Sequence, residues 1–196
     1  AAERDAVSHI DLDIPQGKTV ALVGASGSGK TTIARLIPRF WDVREGSLKI
    51  GGVDVRHMDK ATLMRNVSFV FQNTRLFKTS ILENIRYGNP DATIEQVNRA
   101  VDLSQSREII ERLPQGLNTV IGAEGTYLSG GEQQRIVLAR AILKDAPIVV
   151  LDEATANVDP ENELELQRAI AELTKSKTVI MIAHRLKTVR NANQIL

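Results

Sequence analysis

Between the apolar run Val20-Ala21-Leu22-Val23 and a helix-favouring stretch from Lys30 stands the octapeptide Gly24-Ala25-Ser26-Gly27-Ser28-Gly29-Lys30-Thr31. Its spacing is that of a phosphate-binding loop, a pattern that has a mechanism only when a strand precedes it and a helix follows. The apolar run fits a central strand covered on both faces, and Pro38 closes the helix predicted over 30–37. The glycines let successive N–H groups curl around phosphate oxygens, and the helix start adds positive potential. Lys30 supplies a point charge to the β- and γ-phosphates. Thr31 offers a hydroxyl to Mg2+, which also needs phosphate oxygens and waters. The nucleotide-contacting set is therefore Gly24, Ala25, Ser26, Gly27, Ser28, Gly29, Lys30, Thr31 and the adjoining Thr32. A glycine turn that happens to hold a lysine is the plain alternative, and the strand–loop–helix context speaks against it.

A chain of 196 residues suits one substantial α/β domain, or at most two small ones. Its 25 basic and 24 acidic residues leave a net charge of +1, which gives no electrostatic case for nucleic acid. Without cysteine there are no disulfides or thiolate metal sites, in keeping with a reducing cytosol. No apolar run reaches the roughly 18 residues needed to span a bilayer, and Ala1 to Asp5 do not begin a signal peptide.

Along the chain, Ile10, Leu12 and Ile14 alternate with Asp11 and Asp13, predicting a half-buried strand. Ser47–Ile50 and Val53–Val55, split by Gly51-Gly52, read as a hairpin. A short helix is expected over 59–65 and a strand over 67–71. From Asn73 to Ser129 the pattern is mostly helical, with segments near 94–103 and 106–112. Helices over 131–144 and 160–174, strands over 148–151 and 178–182, and a last helix over 186–192 follow. Alternation of strand and helix implies a mainly parallel sheet.

The strand Ile148-Val149-Val150-Leu151 ends in adjacent carboxylates, Asp152 and Glu153. Consecutive strand residues point to opposite sides, so one can hold a metal while the other faces the reaction. Asp152 is the natural Mg2+ ligand, and Glu153 is then placed to deprotonate an attacking water. Two solvated acids at a strand end are the alternative, which a phosphate loop in the same chain disfavours. His184 follows the strand 178–182, and Gln72 follows the strand 67–71. In parallel sheets such strand ends gather where ligands bind. Spacing alone leaves both a structural and a functional role open for His184. The Gln72 amide could reach Mg2+ or the attacking water, or be an ordinary loop residue. His9 and His57 read as structural.

Leu128-Ser129-Gly130-Gly131-Glu132-Gln133-Gln134-Arg135 places Ser-Gly-Gly at a helix start, a second place suited to an anion. A single nucleotide needs only one such start, so the second serves a neighbour's nucleotide. With this segment the whole chain resembles the nucleotide-binding domain of ABC transporters. The resemblance makes Gly24–Thr31 the Walker A motif, Ile148–Asp152 Walker B, and Leu128–Glu132 the signature motif. Gln72 becomes the Q-loop residue, Glu153 the catalytic glutamate, His184 the switch histidine, and Ala156-Asn157-Val158-Asp159 the D-loop.

The fold so implied is α/β, a P-loop NTPase core with a mainly parallel sheet, a small antiparallel β subdomain and a helical subdomain. All 196 residues would form one ABC ATPase domain. Its RecA-like core would take in about 1–72 and 146–196, and its helical subdomain about 73–145. The implied ligands are ATP and Mg2+, sandwiched between two head-to-tail cassettes, identical or different. Each site would draw Walker A, Glu153 and His184 from one chain and Ser129, Gly130, Gly131 and Glu132 from the other, with Asp159 across the seam.

Arg39-Phe40-Trp41-Asp42, Phe71 to Phe77 and Ile81 to Gly88 are similar to exporter half-transporters, whose cassettes follow a fused transmembrane domain at the inner, cytoplasmic face. The chain then looks cut at both ends: the family's adenine-stacking aromatic belongs upstream of Ile10, and Leu196 stands just inside a strand. Two departures are Gly122-Ala123-Glu124-Gly125, where exporters often read Gly-Glu-X-Gly, and Gly51, where Asp is common. A non-transport ABC ATPase would insert long coiled coils, for which 72–129 is too short and lacks heptads. A catalytically weak regulatory cassette is the other alternative, and Glu153, His184 and the signature speak against it.

Overall fold

The computed structural model describes residues 6–71, 76–122, 127–152, 160–183 and 192–196, with backbone alone for Pro160 and Glu161. These fall into two units. One is drawn from Ala1–Phe69, Pro147–Glu153 and Ser176–Leu196, the other from Val70–Ala146 and Ala154–Lys175.

The first unit is built on a sheet whose strands are β1 (Thr19–Leu22), β4 (Val67–Val70), β5 (Ile148–Asp152), β6 (Thr178–Ile182) and β7 (Gln194–Ile195), in the order β4-β5-β6-β1-β7. β5, β6, β1 and β7 run parallel. Val20, Ala21, Val149, Val150 and Val179 are wholly buried, as continuous apolar strands covered on both faces should be. On one face Val20, Leu22, Val150 and Ile180 pack with Ala34 and Ile37, carried by and just beyond helix α1 (Lys30–Leu36), and with Leu63 of α2 (Lys60–Asn66). Asp59 caps α2 by accepting the Thr62 N–H at 2.9 Å.

The paired glycines do what two left-handed residues can do. β2 (Lys49–Ile50) and β3 (Val53–Asp54) pair antiparallel with Ile50 opposite Val53, and Gly51 and Gly52 have φ of 58° and 81°. Positive φ at both central residues is the requirement of a type I′ hairpin turn.

The strand expected over 10–14 does not form. Exposure does alternate there, with Leu12 and Ile14 half-buried and Ile10, Asp11 and Asp13 exposed, and Ile14 packs against the core. A period of two records which side chains face inward. A strand also needs a neighbour to exchange hydrogen bonds, and no described strand pairs with these residues. Residues 186–191 of the expected last helix lie outside the described residues, and Ala192 is not helical.

The second unit is helical: α3 (Ile81–Arg86), α4 (Ile94–Leu103), α5 (Arg107–Arg112), α6 (Gly130–Lys144) and α7 (Pro160–Thr174). α6 packs against α3, α4 and α7. Accordingly all residues from Gln134 to Ala139 are buried, and its polarity does not follow a single stripe. Ile81, Ile85, Val97, Val101, Ile109, Ile110 and Ile136 form the core of this unit. Because α7 packs on α6, it groups with these helices and not with the sheet.

Candidate nucleotide-binding site

The loop between β1 and α1 is built as a cradle. Gly27 and Gly29 have φ of 80° and 91°, left-handed values that only glycine adopts cheaply. Gly24 to Ser28 are exposed. Gly29 is the N-cap of α1 and offers no side-chain cap, so the loop brings no side-chain acceptor to the first N–H groups of the helix. Lys30 turns back into the loop and is only 7% exposed. Its ammonium donates to the carbonyl oxygens of Gly24 and Ala25, both at 2.8 Å, and to Ser28 Oγ at 3.2 Å. A buried cation held by neutral acceptors, within a ring of exposed backbone, fits an anionic phosphate group. Thr31 and Thr32 follow on α1, both half-buried.

Strand register then brings further chemistry to the same edge. Leu22 pairs with Ile182, and Ile182 pairs with Asp152, so the three parallel strands end on one row. The phosphate loop leaves from β1 one residue beyond this row, after Val23. Asp152 itself stands on the row and is buried, at 6% exposure. Glu153 and His184 follow β5 and β6 in the chain, but they lie outside the described residues, as do Gln72 and Asp159.

The second helix start is arranged differently. Ser129 is the N-cap of α6, and its Oγ accepts the Glu132 N–H at 3.3 Å. Glu132 Oε2 accepts the Ser129 N–H in return at 2.8 Å, completing a capping box. The N–H groups of Gly130 and Gly131 take no part in that box. The other Glu132 oxygen accepts from Arg112 Nη2. Burial pushes the Glu132 carboxyl up, but Arg112 and the Ser129 N–H outweigh it and hold the group below its ordinary value. The structure thus engages the Ser129 and Glu132 side chains in the cap, leaves Ser129 and Gly130 exposed, and buries Gly131. Arg112 was not legible as a partner from sequence, because 20 residues and a helix boundary separate it from Glu132.

The sequence pattern of the family described as ABC transporter matches residues 7–156. This chain belongs to the ABC transporter family. Within that family it is the ATP-binding, ATP-hydrolysing cassette, and its fold is the P-loop NTPase fold. The cassette is similar to an ATP-dependent lipid A-core flippase of Vibrio cholerae, with 51% identity over 195 residues, covering 99% of this chain and 34% of the relative. An ATP-dependent lipid A-core flippase of Desulfotalea psychrophila is 46% identical over 190 residues, 97% of this chain and 33% of the relative. Among solved structures, a bacterial Atm1-family ABC exporter with ATP bound superposes with a TM-score of 0.91 at 38% identity. That comparison covers 100% of this chain and 34% of the exporter. The cassette therefore spans about a third of the length of these relatives. No described helix is long and apolar enough to cross a membrane.

Proposed function

We propose that two copies of this cassette, or one copy and a related one, close head to tail around two Mg-ATP and so drive an exporter's membrane domain. The observation that carries this reading is the pair of unlike helix starts in separate units. One has a glycine cradle and a buried lysine. The other has a serine cap with two glycines behind it. Either start alone gives a nucleotide half of its contacts.

The chemistry asked of the residues is hydrolysis of ATP to ADP and phosphate. Water attacks the γ-phosphorus, and the bond from that phosphorus to the β–γ bridging oxygen breaks, its electron pair leaving on ADP. The Glu153 carboxylate takes the water's proton. Lys30 and the loop N–H groups hold the β- and γ-phosphates in line, and Ser129 with the Gly130 and Gly131 N–H groups closes the γ-phosphate from the partner's side. Thr31, Asp152 and Gln72 suit Mg2+, which would offset charge building on the phosphate oxygens. His184 would steady the γ-phosphate, and Asp159 would line the seam.

The relatives' length leaves room for a membrane domain, and exporters of this kind carry their cassettes at the cytoplasmic face. The relatives' names further suggest that the exported substrate is an amphipathic, lipid A-like molecule. The test uses the full-length protein. Glu153→Gln should retain ATP binding, lose turnover by about 10²–10⁴-fold, and accumulate a closed ATP-bound form with the cassettes dimerised. Turnover near wild type in that variant would remove Glu153 from the mechanism.

A further inference from the structure

Arg135 lies on α6, six residues beyond the Ser129 cap, and the residue is almost wholly buried, at 6% exposure. No described carboxylate pairs with it. Nη1 donates to the Gln105 carbonyl at 3.0 Å, and Nη2 donates to Asn162 Oδ1 at 2.9 Å. Nε is buried and finds no acceptor. Burying a cation without a counter-charge, and with one donor unused, is a poor way to gain stability. Gln105, which presents the carbonyl, is held at φ 58°, a left-handed value that non-glycine residues seldom take. Such costs collect where geometry matters more than stability.

What the fork joins gives the reason. Asn162 is the third residue of α7, which starts at Pro160, and the residue before Pro160 is Asp159. Arg135 itself sits less than two turns from Ser129, Gly130 and Gly131. We infer that Arg135 is a positioning residue, which through Asn162 fixes the first turn of α7 to the signature helix and so holds Ser129 and Gly130 in place to meet the partner's nucleotide. The inference rests on the head-to-tail sandwich proposed above. Arg suits the task because its planar fork sets direction as well as distance, which a lysine ammonium does not.

The experiment measures MgATP hydrolysis by the full-length protein. Arg135→Met removes the donors and keeps the apolar stem. Asn162→Ala removes only the α7 acceptor, and Asn162→Asp keeps an acceptor in place. Each of the first two should lower kcat by about 10- to 100-fold, the loss expected when catalytic groups shift by about 1 Å. KM for ATP should move by less than about threefold, because the phosphate loop is untouched. The double variant should be no slower than the slower single one, as for two ends of one contact. Asn162→Asp should stay within about threefold of wild type.

A wild-type kcat in Asn162→Ala, multiplicative losses in the double variant, or a kcat loss matched by an equal rise in KM would each overturn the inference. Should Arg135→Met fail to fold, Asn162→Ala, altering a half-buried side chain, decides alone. If Glu153→Gln abolishes turnover while Asn162→Ala does not, only this inference falls. If Glu153→Gln turns over normally, the sandwich chemistry falls with it.

Discussion

Gly29 carries two constraints at once. Its φ is 91°, and a Cβ there would lie 2.7 Å from Val7 Cγ2 and 2.9 Å from the Ala6 carbonyl oxygen. Gly27 shares the first constraint, with φ 80°, but has nothing within 4 Å of an added Cβ. The two positions therefore separate backbone strain from crowding. Gly27→Ala should destabilise by about 1 kcal/mol, the usual penalty for a side chain at positive φ. Gly29→Ala must also displace the segment at Ala6 and Val7, so its loss should exceed that of Gly27→Ala by about 1–3 kcal/mol and should abolish ATP binding. Thermal unfolding and nucleotide titration of the pair check this; equal losses would mean that Ala6 and Val7 do not brace the loop. The glycine spacing was open to view in the sequence. The crowding at only one of the two was not, since it depends on a contact more than 20 residues away.

At the scale of elements, legibility followed how local each signal was. α4 and α7 carry their limits in their own residues: a capping box at Thr93 and Gln96 opens the first, and Pro160 opens the second. α3 escaped notice because it is six residues long and its interior holds Asn84, a wholly buried polar residue. The Asn84 amide donates to the carbonyls of Phe77 and Ser80 and accepts the Phe77 N–H, a tertiary pattern that no periodicity encodes. α6 offers the prediction at this scale. Ser129→Ala removes one arm of its capping box and should cost about 1 kcal/mol. Glu132→Gln keeps an acceptor for the Ser129 N–H and loses the partly exposed pair with Arg112, so its loss should be smaller than that of Ser129→Ala. The Glu132 carboxyl is held below its ordinary value. Its stabilisation is therefore complete above the unfolded-state value, near about 4.3, and fades as pH falls through the lower folded value. Wild type and Glu132→Gln should differ in melting temperature at pH 7 and converge in acid. A gap that persisted or widened on acidification would mean that the ion pair is not its source.

For the whole molecule, the row formed by Leu22, Ile182 and Asp152 explains why residues far apart in the sequence could be assigned to one site. Each sits at a strand end, and parallel pairing brings those ends to one edge. The alternation of strand and helix implied such an edge, but the register could not be read from sequence, because it is fixed by pairing between strands, with Leu22 opposite Ile182 across 160 residues and Asp152 opposite Ile182 across 30. The signature start belongs to the other unit, and a composite site made from two chains gives this arrangement a consequence that a self-contained site would not have. Lys30→Ala disables the cradle. Gly130→Asp adds a carboxylate where an extra Cβ meets nothing within 4 Å; an acid in the first turn suits the helix but repels a phosphate. Full-length protein carrying either substitution should be inactive. In a mixed dimer both defects fall in the same head-to-tail site, and the other site pairs an intact cradle with an intact signature start. Random mixing of equal amounts makes half the dimers mixed, so if the sites act independently about a quarter of wild-type ATPase activity should return. Two sites each complete within one chain would be inactive in every combination, and activity no higher than that of the separate variants would count against the composite site.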